Sequence, residues 1–351
     1  MEPGRHRKLV TAALALATFL AALEATAVGT AMPTVVAELG GVARYSWVFS
    51  VYLLASTTTV PMYGKLADLF GRRRIFTISV AIFLGGAALC GTAQTFTQLI
   101  LFRAVQGLGA GGVMPVAITL IADIYSLEER GKVQGVFSGV WAVSGLVGPA
   151  AGGLITDLLS WRWIFYINVP FGLAAVIMLR LFLHEETERK GRRLDLLGTI
   201  SLTAAIAVLL LALQEGTEMW GWWDPRTLAM MAVAGFGLLF FLWQEGRAPE
   251  PMLPLDLFQN RVIAVASMGG FIMGTVLFCA AAFVPMFTQG VLGGTAVDAG
   301  MTLAPMSIGW PIASTTAGWF LARRGYRPFI VAGSTLTTLG CLMLGFLDPA
   351  W

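Results

Sequence analysis

The sequence predicts an all-α, polytopic membrane protein, and three observations carry that prediction. Apolar residues make up 57% of the chain and charged ones 12%, against roughly 25% charged in a soluble domain. Mean hydropathy is +0.76. The apolar residues also gather in long runs of about 18 to 25, each sufficient for the ~30 Å hydrocarbon core. Eleven such runs are expected, at 9–31, 46–66, 75–93, 98–121, 133–156, 163–183, 194–213, 227–244, 262–284, 297–321 and 327–346.

Cations set the expected orientation. With the N-terminus inside, every one of the 23 Lys and Arg except Arg44, Arg162, Arg226 and Arg103 falls in or beside a cytoplasmic segment. The first three lie outside and Arg103 lies within a span, so the positive-inside rule predicts a cytoplasmic N-terminus. The net charge of +3 reflects this asymmetry and gives no reason to expect a nucleic-acid partner. The opening RHRK before an apolar run mimics a signal peptide, yet the run continues to Met32 and ten more follow. The three cysteines, Cys90, Cys279 and Cys341, have no metal or redox spacing, and His6 and His184 lie in cytoplasmic segments. No catalytic constellation can be drawn, so neither an enzyme nor a metal or cofactor is expected.

The first span ends LEATAVGTAMP, from Leu23 to Pro33, with Glu24 the acidic residue well inside it. A carboxylate at that depth is costly, which points either to a function or to a structural ion pair. Spans two and three are joined by GKLADLFGRRR, Gly64 to Arg74. Gly64 and Gly71 suit a tight hairpin, and Asp68 lies one helical turn from Gly64 and from Arg72. Span four carries Arg103 in LILFRAVQGLGAGG, at a depth similar to that of Glu24, so the two charges can face one another. Gly107 and Gly111 make a close-packing face there. Asp123 and the loop LEERGK close the next hairpin, either solvated or paired with the Arg72–Arg74 cations. Span five ends SGLVGPAAGG, where Gly145, Gly148, Gly152 and Gly153 leave a bare face and Pro149 can kink the helix. After it, WRWIFYINVP puts Trp and Tyr at the outer interface.

Beyond span six lies a charged linker, HEETERKGRRLD (184–195), and beyond span eight a Pro-rich one, APEPMLPLDLFQNR. Spans nine and ten contain FVPMFTQGVLGG and LAPMSIGWP, and their prolines and glycines mark bendable helices near a cavity. Thr26, Gln106, Gln289 and Pro305 are the candidate cavity residues. The hairpin has an internal echo. GWFLARRGYRP, from Gly318, repeats its glycines at Gly318 and Gly325 and its arginine at Arg327, with Ala322 in place of Asp68.

These motifs together resemble the major facilitator superfamily. The Gly64–Arg74 stretch is similar to the family's loop between helices 2 and 3, and the echo to its duplicated second half. Leu23, Thr26, Val28, Ala31 and Pro33 match the first-helix signature of the 14-helix drug:proton antiporters, with Glu24 for the family's Asp and Gly29 for its Asn. Arg103, Gln106, Gly107 and Gly109 match the fourth-helix motif Arg-x-x-Gln-Gly-x-Gly. In span five, Gly148-Pro149 followed by the pair Gly152 and Gly153 resembles the family's antiporter motif. WRWIFYINVP resembles the same 14-helix branch.

The resemblance implies facilitator-type helix bundles: a six-helix bundle over 1–183, linkers and two inserted helices over 184–261, and three helices of a second bundle over 262–351. It implies a chain truncated by three helices, which would be a further partner. The implied function is proton-driven export of small amphipathic drugs from the plasma (inner) membrane, with Glu24 and Arg103 coupling protons. Gly64, Asp68, Gly71, Arg72, Arg73, Gly145, Gly148, Pro149, Gly152 and Gly153 would govern conformational change. A specific metabolite or siderophore exporter and a non-transporting fragment or membrane sensor are the alternatives.

Overall fold

A computed structural model of the chain describes residues 3–41, 44–183, 195–249, 251, 253–293 and 296–345. The linker residues 184–194 lie outside the described residues. The helices are α1 (Pro3–Leu39), α2 (Trp47–Phe70), α3 (Arg72–Gly91), α4 (Phe96–Ile124), α5 (Leu127–Leu158), α6 (Trp163–Tyr166), α7 (Asn168–Phe182), α8 (Leu196–Glu218), α9 (Pro225–Glu245), α10 (Arg261–Gly290), α11 (Ala296–Arg324) and α12 (Arg327–Gly345). No strand occurs among the described residues.

Local chemistry sets several of these boundaries. Asp195 caps α8 by accepting from Gly198 N at 2.9 Å, and Asp224 caps α9 from Arg226 N at 2.8 Å, just before Pro225. Each carboxylate satisfies an amide that the first helical turn would leave orphaned. The hairpin between α2 and α3 is tighter than the Gly64–Arg74 motif implied. Helix runs to Phe70 and restarts at Arg72, so the break is Gly71 alone, at φ 91°. The echo turns on its matching glycine, Gly325, at φ 71°. Side chains rarely adopt that backbone, which explains the residue at both sites.

A helix covers each of the eleven expected spans, but fewer qualify as membrane spans. Among the described residues seven are long and apolar enough, and an eighth is the pair Glu128–Gly145 and Ala150–Leu158, interrupted across the stretch that holds Pro149. In α2 the run Ser56–Thr59 and Gly64–Lys65 dilutes the apolar sequence. In α10 the described apolar stretch is Arg261–Leu277, short of a full span.

The chain forms two compact units. The first comprises Met1–Ile124 and Val143–Leu255. Within it α4 lies between α2 and α3, its glycines divided between two faces. A Cβ on Gly107 or Gly111 would overlap α2 at Tyr52 or at Ser56 and Thr59, and one on Gly109 or Gly112 would overlap α3 at Phe83 or Ser79. Packing by small residues replaces the missing hydrophobic drive between helices in lipid. At one end an apolar core forms from Val28, Met32, Val35, Val48, Phe96, Leu99, Trp161 and Phe165. Helices α8 and α9 pair, and Thr203 of α8 donates to Thr58 O of α2 at 3.4 Å.

The second unit holds Tyr125–Ala142 and Asp256–Trp351. There the start of α5 crosses α11 along small residues. A Cβ on Gly318 would sit 2.9 Å from the Gly131 carbonyl, and Ser138 Oγ and Ser314 Oγ are 3.5 Å apart.

Gly109→Leu should lower the thermal unfolding midpoint in detergent, the overpacking costing about 1–3 kcal/mol or more. Gly85→Ala, whose added methyl would meet open space, should leave the midpoint unchanged or raise it.

Candidate functional site

Glu24 sits in the middle of α1 and Arg103 about two turns into α4, just before the glycines that let α4 approach α2. The two side chains meet. Arg103 Nη1 donates to Glu24 Oε1 at 2.6 Å, with both residues 2% exposed or less. The same Nη1 donates to Gln106 Oε1 at 2.9 Å, and Nε donates to Val48 O at 3.2 Å. The guanidinium stacks over the Tyr52 ring with Cζ 4.0 Å from its centroid. The second carboxylate oxygen accepts from Asn168 Nδ2 of α7, again at 2.6 Å. Cys90 Sγ of α3 donates to Gln106 Oε1 at 3.6 Å. Five helices therefore contribute to one buried network. Its density answers the cost of desolvation, since a buried pair is tolerable only when further hydrogen bonds satisfy each ion.

Beside the network lies a cavity of ≈ 30 Å³ lined by Leu23, Glu24, Ala27, Ala151, Gly152, Ile155, Ile164, Ile167 and Asn168. It has room for a water next to the carboxylate.

The other expected residues are distributed more widely. Gln106 is fully buried in the network rather than facing a cavity. Thr26 Oγ1 donates to Ser144 O at 3.1 Å and meets Gly148, so it serves the crossing of α1 and α5. Gly148 and Gly152 pack on α1 at Thr26, Ala27 and Thr30, whereas Gly145 and Gly153 face open space. The bare face is narrower than the four glycines implied. Gly64 likewise meets open space, so close approach is not its contribution within this unit. Pro305 is exposed on α11. The side chains of Pro149 and Gln289 lie outside the described residues.

Around Gly71 the cations are anchored. Arg72 pairs with Asp123 and, at 3.4 Å, with Asp68, and donates to Thr119 O at 2.9 Å. Arg73 donates to Leu183 O at 2.9 Å, at the end of α7. Lys65 donates to Pro251 O at 2.9 Å, while Glu245 accepts from Leu253 N. The Pro-rich linker after α9 is thus tied to the hairpin through Lys65 and to the end of α9 through Glu245.

Sequence reasoning missed Asn168, Tyr52 and a second charged cluster. In that cluster Glu38 accepts from Arg162 Nη1 and Trp161 Nε1, each at 2.7 Å. The signal for Asn168 was present, as an amide within an otherwise apolar stretch of INVPFGLAAV.

The family model described as Major Facilitator Superfamily matches residues 14–351. The chain belongs to the major facilitator superfamily. This family consists of membrane transporters and not enzymes. Multidrug transporter protein MdtP of Bacillus subtilis (strain 168) is 40% identical over 342 residues, 97% of this chain and 63% of that protein. The acurin A biosynthesis cluster MFS-type transporter of Aspergillus aculeatus is 35% identical over 357 residues, 99% of this chain and 64% of that one. The chain therefore spans just under two thirds of the length of these relatives. The solved structure of the human organic anion transporter MFSD10 (TETRAN) superposes with a TM-score of 0.53 at 15% identity, covering 89% of this chain and 72% of that one. That likeness supports the facilitator fold alone.

Arg103→Lys should destabilise this facilitator chain even though the charge remains. A lysine cannot reach Glu24, Gln106 and Val48 O together while stacking on Tyr52. The expected loss is about 3 kcal/mol, toward that of breaking a buried pair, read as a fall in the detergent unfolding midpoint. An unchanged midpoint would show that charge alone is what this position needs.

Proposed function

We propose that this facilitator-family protein exports small amphipathic compounds in exchange for protons, as a member of the 14-helix drug:proton branch. The observation that carries the proposal is the buried Glu24–Arg103 pair, held with Gln106 and Asn168 in an otherwise apolar interior. Ionisable residues at such depth mark ion or proton pathways by default. Arg103 favours the ionised carboxylate and burial favours the protonated one, so a modest change around the pair shifts the balance. Opening the site toward either side of the membrane would load or release the proton. The glycine-lined crossing of α1 and α5 at Gly148 and Gly152 supplies a surface on which helices can slide. The hairpin residues Asp68, Gly71, Arg72 and Arg73 would bias which side is closed.

The remaining assignments belong to the same proposal. The N-terminus lies in the cytoplasm, and the protein resides in the plasma (inner) membrane. Residues 1–183 act as the first bundle, 184–261 as linkers and inserted helices, and 262–351 as part of the second bundle. Substrate binds apolar and aromatic surface loosely, which suits broad specificity. The 40% identity to a protein named a multidrug transporter supports this reading. A second reading, export of one specific metabolite, is favoured by the 35% identity to a transporter named for a biosynthesis cluster.

Glu24→Gln should abolish substrate movement driven by a proton gradient in reconstituted vesicles while the protein inserts normally. The amide fits the volume but cannot carry a proton. Glu24→Asp should retain partial activity. Wild-type rates from Glu24→Gln would end the proton-carrier assignment. A substrate panel in the same vesicles separates broad export from export of a single compound.

A further inference from the structure

Where α1 packs on α7, one buried side-chain hydrogen bond joins them, Asn168 Nδ2 to Glu24 Oε2 at 2.6 Å. Asn168 is 1% exposed and stands where the short α6 gives way to α7, the two parted at Ile167. Its amide nitrogen also donates backward to Ile164 O at 3.1 Å and Phe165 O at 3.3 Å. Backbone carbonyls only accept, so they hold the donor side of the amide toward the carboxylate. Asn168 Oδ1 is buried and has no hydrogen-bond partner among the described residues.

This arrangement favours the ionised state of Glu24. A charge-assisted bond from Nδ2 to the carboxylate is strong. A proton on the carboxyl takes up one lone pair and removes the charge, so the bond from Nδ2 falls from charge-assisted to neutral strength. Turning the amide would present Oδ1 to the acid, but would set that oxygen against the Ile164 and Phe165 carbonyls. The adjoining cavity of ≈ 30 Å³, lined by both Glu24 and Asn168, gives the side chain space to withdraw.

We infer that Asn168 is a positioning residue through which the charge on Glu24 holds α7 against α1, so that protonation of Glu24 releases this contact. The inference rests on the proposed role of Glu24 as proton carrier. Coupling then has a mechanical route. The proton that neutralises Glu24 frees the joint at Ile167, and restoring the charge closes it. The titratable and charged groups that face Glu24 are Arg103 from α4, Tyr52 from α2 and Cys90 from α3. Helices α5 and α7 face it with Ala151, Gly152 and Asn168, none of which titrates.

The test is infrared titration of the Glu24 carboxyl in the reconstituted chain, its band assigned by its loss in Glu24→Gln, with hydrogen exchange at 164–168 followed over the same pH range. In Asn168→Leu the titration midpoint should move up by about one to two pH units, the worth of one hydrogen bond to a charged group. Protection of the 164–168 amides, taken relative to their intrinsic exchange rate at each pH, should fall on acidification in wild type and lose that dependence in the variant. Asn168→Gln should restore part of the wild-type midpoint. Should Asn168→Leu fail to fold, Asn168→Ser, too short to reach Glu24, takes its place in the same titration. A variant that folds and titrates at the wild-type midpoint overturns the inference. Because neither readout needs transport, that result is distinct from continued transport in Glu24→Gln, which would refute the carrier role itself.

Discussion

A carboxylate and a guanidinium cannot be left unpaired in a hydrocarbon environment, and the first unit is arranged around that requirement. Glu24 arrives on α1 and Arg103 on α4, and their pairing obliges α2, α3 and α7 to supply Val48 O, Tyr52, Cys90 and Asn168 around them. The Coulomb attraction alone would not offset the desolvation of two ions. Hydrogen bonds from neutral partners make up the difference, and each one fixes the approach of another helix. The network therefore specifies which helices are neighbours as much as it contributes stability.

Close backbone approach makes such a network possible. The side-chain-free faces of α4 at Gly107, Gly109, Gly111 and Gly112 let α2 and α3 come near enough to shut lipid out. Threonines and serines on the facing helices bond back to their own turns, as Thr58, Thr59 and Ser79 do. They add polar surface to an apolar helix without orphaning a group. The same device recurs where α5 crosses α11 through Gly131 and Gly318. Small residues thus govern packing in both units.

The helical fold, the places of the helices and the pairing of Glu24 with Arg103 were legible because each follows from a strong local rule. Long apolar runs leave helix as the available form, and two rare charges at equal depth have few other partners. Side-chain direction was not legible. Thr26 and Gln106 read as cavity residues by type, yet one faces Ser144 and the other completes the ion pair. Gly64 and Gly145 read as packing residues, yet a methyl group on either would meet nothing. Depth along a helix can be counted from sequence, but rotation about its axis is decided by neighbours. Asn168 went unread for a related reason. Its apolar flanks drew attention to the aromatic residues beside it, and its partner lies 144 residues away.

The paired hairpins show which part of a motif answers to backbone geometry and which to charge. Both breaks carry a glycine at positive φ, Gly71 alone in the first and Gly325 followed by Tyr326 in the second. That conformation is a steric demand of so short a turn, so glycine stands at both places. The charges around the two turns differ. At the first, Arg72 joins Asp68 and Asp123, tying α2, α3 and α4 together at one end. At the second, Ala322 occupies the position of the acid, and Arg324 lies over the ring of Phe320, 5.8 Å from its centroid. Geometry alone therefore cannot account for the acidic residue in the first copy. The first hairpin is braced by ion pairs that a change of charge or a helix displacement could break, and Lys65 ties it to the linker after α9. A rearrangement at this end of the first unit would thus be felt by the linker through a direct contact.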